Sequence, residues 1–332
     1  LGPSVPLIYA PLDFPLAVRK ALLSIRPHAM VFLETEIWPN WIFKANRCGA
    51  RTLLVNGRIS PGSIEGYLRF KPFFREVLKA VDRFSMITKE DARRIMAMGA
   101  DLKKVETNGN AKYDLLAAAP DQSAANEMRQ IFSLGSLQRV LVAGSTRKGE
   151  EAMVLDAYQK IRERFPDTLL IIAPRHIRRI PSIAALVETR GLRYHLYSDL
   201  AGSCQKRKEK IVLVDTFGEL FNIYSIATIV FCGGSLVPLG GQNPLEPAAW
   251  AKPVFYGPHM DNFLDAKAML EDAGAGIQVS NSKDFARKAL WYLHHPDKMK
   301  EVGERARQVV RNLRGAARRH AEVICRLLEK DP

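Results

Sequence analysis

Short apolar runs of strand length alternate with segments of helical periodicity along almost the whole chain, and this alternation limits the fold more than any other feature. The runs fall at 29–33 ("AMVFL"), 51–55 ("RTLLV"), 84–88 and 105–107, and then at 139–144, 168–174, 192–197, 210–215, 228–233, 252–257 and 275–279. Buried strands separated by helices build parallel sheets covered on both faces, so an α/β class follows. Within "NAKYDLLAAAPDQSAANEMRQ" (110–130) the chain passes through Pro120 into a new helical pattern, which places a hinge near residues 115–123. The segment "SCQKRKEK" (203–210) reads as an exposed loop, and from about residue 282 the pattern is helical, with breaks at Pro296 and Gly315.

A length of 332 residues suits two domains. The order of elements predicts two Rossmann-like halves, with ligands bound in the cleft between them. The first half carries about four strands, where a doubly wound domain usually has five or six, and it opens on "VPLIYAPLDFPLAV" as if part-way through a fold. The N-terminal domain is therefore expected to be incomplete at its start. No apolar run approaches 18 residues, and no charged-then-apolar leader is present. Cys48, Cys204, Cys232 and Cys325 lack the paired spacing of a disulfide framework or a zinc site, which points to a reducing, cytoplasmic setting.

The 49 Lys and Arg against 35 Asp and Glu give a net charge of +14, a field that favours an anionic partner: nucleic acid, an anionic membrane face or a phosphorylated small molecule. In "RFKPFFREVLKAVDRF" (69–84), Arg69, Lys71, Arg75, Lys79 and Arg83 rim an apolar helical stripe. Such a stripe suits either a membrane surface or the protein's own core. The basic residues are not interleaved with aromatics as in a recognisable RNA-binding module, so nucleic acid is not expected as a partner.

Ligands of open parallel sheets bind beyond the carboxyl ends of the strands, where loops become helix N-termini. Four loops of the second half fit that position. "AGSTRKGEE" (143–151) has Ser145 or Thr146 placed to cap a helix, with Gly144 allowing close backbone approach to a phosphate. "APRH" (173–176) offers the planar fork of Arg175, with His176 as donor, base or packing residue. "DTFGEL" (215–220) matches a capping box of Thr216 and Glu219. In "GGQNPLEP" (240–247), Asn243 is a good cap, Pro244 a preferred first helical residue, and Glu246 stands where it can reach back to the cap or accept two ribose hydroxyls. The four glycines of "GGSLVPLGGQ" permit close approach to a bulky ligand. Together these loops describe a nucleotide site. In the first half, "FLETEIWPN" (32–40) sets Glu34 and Glu36 at a strand end, one expected to face the ligand and one to pack locally, and Lys112 in "GNAKYD" can neutralise a phosphate.

The motifs "ETEIWPN", "NGRIS", "GNAKYD", "STRKGEE", "PRH", "FGEL" and "GGSLVPLGGQNPLEP", in this order, closely resemble the 3-deoxy-D-manno-octulosonic acid (Kdo) transferases of lipopolysaccharide synthesis. The resemblance covers nearly the whole chain. It implies a GT-B glycosyltransferase with an acceptor-binding domain over 1–116 and a CMP-sugar-binding domain over 117–332, whose terminal helices can cross back. The implied activity is inverting transfer of Kdo from CMP-Kdo to the lipid A precursor lipid IVA, at the cytoplasmic face of the bacterial inner membrane, with an anionic membrane surface as a partner. Neither a metal nor a cofactor is implied; CMP-Kdo is the donor substrate.

Carried over by motif, CMP contacts fall on Pro174, Arg175, Phe217, Gly218, Glu219, Asn243, Pro244, Leu245 and Glu246, beside the phosphate-binding Ser145 read from its loop. Glu34 and Lys112 steady the transition state. Gln242 stands where many members show His. The family's general-base Glu and its membrane anchor are expected upstream of residue 1, and Asp13 belongs to a different part of the pattern. The chain is accordingly expected to bind CMP better than it turns over. The alternatives are another GT-B nucleotide-sugar transferase or epimerase, or a non-catalytic nucleotide- or RNA-binding protein.

Overall fold

The computed structural model of the chain describes residues 6–118, 120–202 and 206–329. Elements run in the order α1 (Pro15–Ile25), β1 (Ala29–Leu33), α2 (Pro39–Arg47), β2 (Arg51–Gly57), α3 (Pro61–Arg69), α4 (Lys71–Lys79), β3 (Arg83–Met86), α5 (Lys89–Met98), β4 (Val105–Thr107), α6 (Lys112–Ala118) and α7 (Gln122–Ile131). There follow β5 (Val140–Thr146), α8 (Glu150–Arg164), β6 (Leu169–Pro174), α9 (Ile180–Glu188), β7 (His195–Leu196), α10 (Tyr197–Ala201), β8 (Ile211–Leu213), α11 (Leu220–Tyr224), β9 (Ile229–Cys232) and α12 (Leu245–Ala249). The chain continues through β10 (Val254–Tyr256), α13 (Leu264–Asp272), β11 (Gly276–Gln278), α14 (Ser282–His294), α15 (Pro296–Asn312) and α16 (Ala316–Leu328). Two compact units result, one of Leu1–Asp114 with Gly315–Pro332 and the other of Leu115–Arg314.

The N-terminal unit holds a parallel four-stranded sheet ordered β1-β2-β3-β4. β2 is buried along almost its whole length because both faces are covered. Leu54 faces a core with Phe84, Ile42, Val77 and Ile95. Leu53 and Val55 alternate to the opposite face, where Val323 and Leu327 of α16 cover them. The start of α16 is held by Asp114, whose carboxylate accepts from the amides of Gly315 (2.7 Å), Ala316 (3.2 Å) and Ala317 (2.7 Å). These are donors that a helix start leaves without an intrahelical partner. Deeper in the same contact, His320 is buried, and its Nε2 donates to the Gly109 carbonyl (2.9 Å) while Nδ1 accepts from Ser85 Oγ (2.6 Å). Burial pushes the imidazole pKa down and favours this neutral form. Asp13 likewise ties down a helix start, its carboxylate accepting from the amides of Asn40 and Trp41 at the head of α2.

The C-terminal unit is built on a parallel seven-stranded sheet, order β11-β10-β9-β5-β6-β8-β7. All six residues of β6 are buried, as expected of a central strand. Its core includes Leu141, Leu170, Ile172 and Phe231 from the sheet, packed on Val154 and Tyr158 of α8 and Phe285 of α14.

Several sequence boundaries move. The apolar run 192–197 supplies only the two strand residues His195 and Leu196, because Tyr197 opens a helix. The basic amphipathic stretch 69–84 is not one helix: only α4 is helical across its centre, Phe70 breaks it from α3, and Arg83 already lies in β3. Within α4, Val77 and Leu78 join the core and Phe74 packs against it, while Phe73, and Phe70 just before the helix, stay exposed. The loop predicted at 203–210 includes residues 203–205 and hence Cys204, which lie outside the described residues. Its described part is anchored, since the Arg207 guanidinium donates to the carbonyls of Phe132 and Glu209 and to Gln138 Oε1. Among the described residues no helix is long and apolar enough to cross a membrane, no group of three or more His, Cys, Asp or Glu is placed to hold a metal ion, and Cys48, Cys232 and Cys325 are free thiols.

Candidate active-site elements of the two units

On the C-terminal unit, a pocket of about 370 Å³ opens at the carboxyl ends of the strands. That volume suits a small-molecule site, for which roughly 300–1,000 Å³ is usual. Ser145, Arg175, Gly218, Asn243 and Glu246 line it, so five of the ten residues expected to hold the nucleotide come together, with Gln242 beside them. Pro174, Phe217, Glu219, Pro244 and Leu245 do not line it. Pro174 is the last residue of β6, Leu245 is fully buried, and Phe217 is 77% exposed. Glu219 is engaged elsewhere, as the acceptor for the Tyr197 hydroxyl, which burial and this carboxylate together push up to about 12.

Sequence reasoning missed Leu220, Phe221 and Tyr224, which complete the wall. Their i, i+1, i+4 spacing on α11 is that of one helix face, a signal available in "LFNIY".

Arg175 follows β6 directly, its amide bonded to the Thr146 carbonyl (3.0 Å), and its side chain is exposed with no hydrogen-bond partner among the described residues. Pro244, not Asn243, stands at the cap of α12, whose first residue is Leu245; the Asn243 side chain lies one residue earlier, where Oδ1 accepts from the Leu245 amide (3.1 Å) and Nδ2 approaches Glu246 Oε1 (3.4 Å). Burial raises the pKa of the Glu246 carboxyl, against the opposing pull of the Asn243 amide and the Arg175 charge. The pocket thus presents a planar cation, a carboxylate that accepts hydroxyl donors, and an aromatic helix face. Such a set binds phosphate, ribose and base respectively. Ser145 sits in the left-handed region (φ 54°), at the point where the β5–β6 register slips. A non-glycine residue there is costly, and such backbone strain clusters at ligand sites.

Three further expectations for the loops fail. Neither Ser145 nor Thr146 caps α8: Gly149 stands at the cap, and Thr146 Oγ1 donates to Glu151 Oε1 (2.8 Å). The amide-rich turn after β9 is already occupied by the Glu150 carboxylate, which accepts from the amides of Gly234 (2.6 Å), Ser235 (2.9 Å), Leu236 (2.9 Å) and Arg147 (2.9 Å). Close self-packing also accounts for the glycines. A Cβ on Gly240, at φ +79°, would fall 2.2 Å from Asn262 Nδ2, and one on Gly144 would fall 2.0 Å from the buried Tyr224 hydroxyl. Finally, Thr216 and Glu219 form no capping box: α11 begins at Leu220, and Thr216 Oγ1 is buried without a partner among the described residues. His176 Nε2 accepts from Arg147 Nη1 (2.8 Å), and the surrounding arginines add to desolvation in lowering its pKa.

In the N-terminal unit, Glu34 and Lys112 meet as an ion pair, Nζ to Oε1 2.5 Å. Glu34 also lies in the left-handed region (φ 58°), fixed by its amide to the Val55 carbonyl and by its own carbonyl to the Arg58 amide. Asn56, at φ 53° in the slip between β2 and β3, accepts from the Ala111 amide (2.9 Å) and so holds the loop that carries Lys112. The "NGRIS" segment is thus a support for the pair. Glu36 is used locally, accepting from Trp38 Nε1.

Residues 1–115 match the family model described as 3-deoxy-D-manno-octulosonic-acid transferase (kdotransferase). Over 320 residues, 95% of this chain and 73% of its relative, the sequence is 32% identical to the 3-deoxy-D-manno-octulosonic acid transferase of Bordetella pertussis. The chain belongs to the Kdo transferase family. It is also 36% identical over 283 residues to a bifunctional glycosyltransferase/methyltransferase of Fusobacterium nucleatum, covering 85% of this chain but only 43% of that protein. Among solved structures, the C-terminal CMP-Kdo binding domain of WaaA from Acinetobacter baumannii matches 57% of this chain and 96% of that domain, with a TM-score of 0.52 and 26% identity. A glycosyltransferase from Rickettsia africae covers 98% of this chain and 85% of that one, with a TM-score of 0.62 and 15% identity, a likeness of fold. A Kdo transferase chain with two Rossmann-like units of the GT-B class accounts for all of these matches.

Proposed function

We propose that this chain carries the machinery that transfers Kdo from CMP-Kdo to a lipid A precursor. The pocket on the C-terminal unit carries the reading, because its Arg175, whose side chain makes no hydrogen bond among the described residues, and its carboxylate Glu246 are the two groups that a nucleoside monophosphate demands. Arg175 takes the phosphate of CMP as it leaves, and Glu246, oriented by Asn243, accepts the ribose hydroxyls. The pocket-facing side of α11 packs beside the base. Glu34 holds Lys112 in place, and the Lys112 ammonium steadies negative charge in the transition state. A sugar hydroxyl of the acceptor attacks the anomeric carbon of Kdo from the face opposite CMP, losing its proton to a carboxylate base. CMP-Kdo is consumed as a substrate, and the scheme calls for neither a metal nor a cofactor.

Titration calorimetry with CMP and UDP tests the donor assignment. CMP is expected to bind at least tenfold more tightly than UDP, and Arg175→Gln to weaken CMP binding about 10–100-fold, the loss of a charge-assisted hydrogen-bonded pair. Equal affinity for the two nucleotides, or an Arg175→Gln variant that binds CMP as well as the parent, would remove the basis of the assignment.

The proposed setting is the cytoplasmic face of the inner membrane. Exposed Leu68, Phe70 and Phe73 beside Arg69, Lys71 and Arg75, at the α3–α4 corner, support it: aromatics insert at a lipid interface while the basic rim meets anionic headgroups. In flotation with vesicles containing phosphatidylglycerol, Phe70→Ser/Phe73→Ser is expected to cut the bound fraction several-fold without altering CMP affinity. Undiminished flotation would point to another surface.

A further inference from the structure

A second cavity of the C-terminal unit, about 460 Å³, shares only Leu116 with the nucleotide pocket. It lies where α7, the end of α12 and α15 come together. Four cationic side chains line it, Arg129, Lys252, Arg307 and Arg311, and no carboxylate does. Arg307 is tied to Glu304 through Nη2. Among the described residues Arg129, Lys252 and Arg311 have no acidic partner. Like charges gathered around one small space repel, and burial intensifies that repulsion. The Lys252 ammonium registers it: burial first, and the field of Arg129 second, bring its pKa down to about 8.

The same cavity collects buried donors that have nothing to donate to. Ser225 Oγ, Trp250 Nε1 and Arg307 Nε are three of the six buried side-chain polar atoms without a hydrogen-bond partner among the described residues, and all three residues line it. Ser225 is 7% exposed. A buried donor left without an acceptor is costly, and native structures hold few of them. Their concentration beside uncompensated positive charge calls for a ligand that brings both acceptors and negative charge.

We propose that this cavity is a second binding site, for a small phosphate-bearing molecule. The phosphate oxygens accept from Arg129, Lys252 and Arg311, with Trp250 Nε1 and Arg307 Nε completing the shell, a set of charge-assisted bonds suited to a dianion. The volume exceeds that of inorganic phosphate, and Leu116, Pro120 and Val310 supply an apolar wall for a carbon skeleton. A soluble phosphate monoester and a phosphate-bearing lipid headgroup share this chemistry. The site does not depend on the donor assignment, because its residues are not those that hold the nucleotide.

Calorimetric titration of the full chain with inorganic pyrophosphate and with glycerol 3-phosphate tests the proposal. It is run with CMP at saturation and again in the Arg175→Gln variant, so that neither anion reports on the nucleotide pocket. Binding is expected under both conditions, and Arg129→Gln/Arg311→Gln, which changes two exposed side chains, is expected to weaken it at least tenfold with CMP affinity unchanged. Lys252→Met gives an independent reading: without anion its Tm should equal or exceed that of the parent, and pyrophosphate should no longer raise it. Vesicles of phosphatidylcholine with and without phosphatidic acid form the lipid arm. Capture by phosphatidic acid that is lost in the double arginine variant assigns the phosphate to a headgroup, and binding of the soluble anions alone assigns it to a soluble ester. No binding of any phosphate probe under either condition, or binding undiminished by the double variant, overturns the proposal.

Discussion

Glu150→Ala is expected to destabilise the C-terminal unit by about 3–5 kcal/mol, an effect at the far end of what single substitutions do. The Glu150 carboxylate is fully buried and accepts four backbone amides, from Arg147, Gly234, Ser235 and Leu236. Removing it leaves those donors with no acceptor in a space that water does not easily reach, and each orphaned buried donor costs about 1–3 kcal/mol. The loss is partly offset because burial pushes the pKa of the Glu150 carboxyl up, which means that desolvation disfavours the charge itself. Urea denaturation followed by circular dichroism measures the change. Glu150→Gln keeps one acceptor oxygen but turns an amide donor toward backbone donors, and it should fall between Glu150→Ala and the parent. A loss below about 1 kcal/mol for Glu150→Ala would mean that the turn after β9 finds its acceptors elsewhere.

The second large effect is on rate. Lys112→Met is expected to lower kcat for transfer of labelled Kdo from CMP-Kdo to a lipid A precursor by about 10²–10³-fold, the usual loss when one preorganised electrostatic group is removed from a transition state. Glu34→Gln should cost less, roughly tenfold, because it loosens Lys112 without removing the ammonium. The pair is 67% and 41% exposed at Lys112 and Glu34, and such an ion pair contributes only about 0–1 kcal/mol to stability. A structural role would therefore move Tm and rate together, whereas the proposed role moves kcat with Tm almost unchanged. A Lys112→Met chain with parental kcat would remove Lys112 from the mechanism.

These two sites differ in how far the sequence reveals them. Glu34 and Lys112 stand 78 positions apart, yet the motifs that carry them are recognisable, and the strained backbone at Glu34 and the Asn56 hydrogen bond to Ala111 bring them together. Glu150 stands in plain view in "STRKGEE", within a loop whose sequence suggests a ligand site. Its true partners, apart from the nearby Arg147 amide, lie more than eighty residues away. No local rule says that a turn's amides will be filled by the protein's own carboxylate instead of a phosphate, since both are anions and the turn is the same. The capping box at Thr216 fails for a similar reason: three residues of spacing describe a cap only if the helix starts there, and α11 starts at Leu220.

The stretch 69–84 shows the limit of periodicity. A 3.6-residue stripe is present, but Pro72 fits the first turn of α4 and the chain has to turn at Phe70, so half the pattern belongs to helix ends and a strand. Residues of the second cavity carry no signal at all. Arg129, Lys252, Arg307 and Arg311 lie on three separate segments, each of which reads alone as a solvated basic helix face or a loop.

By itself the sequence determined the strand-and-helix alternation, the parallel sheets that follow from it, and the loops that end at strand termini, because each depends on residues close together in the chain. Tertiary structure alone decided which of those loops keep free donors and charges for a ligand and which commit them to the protein's own side chains. That division depends on what packs opposite, and hydrogen bonds and Coulomb forces act across space without regard to separation in sequence.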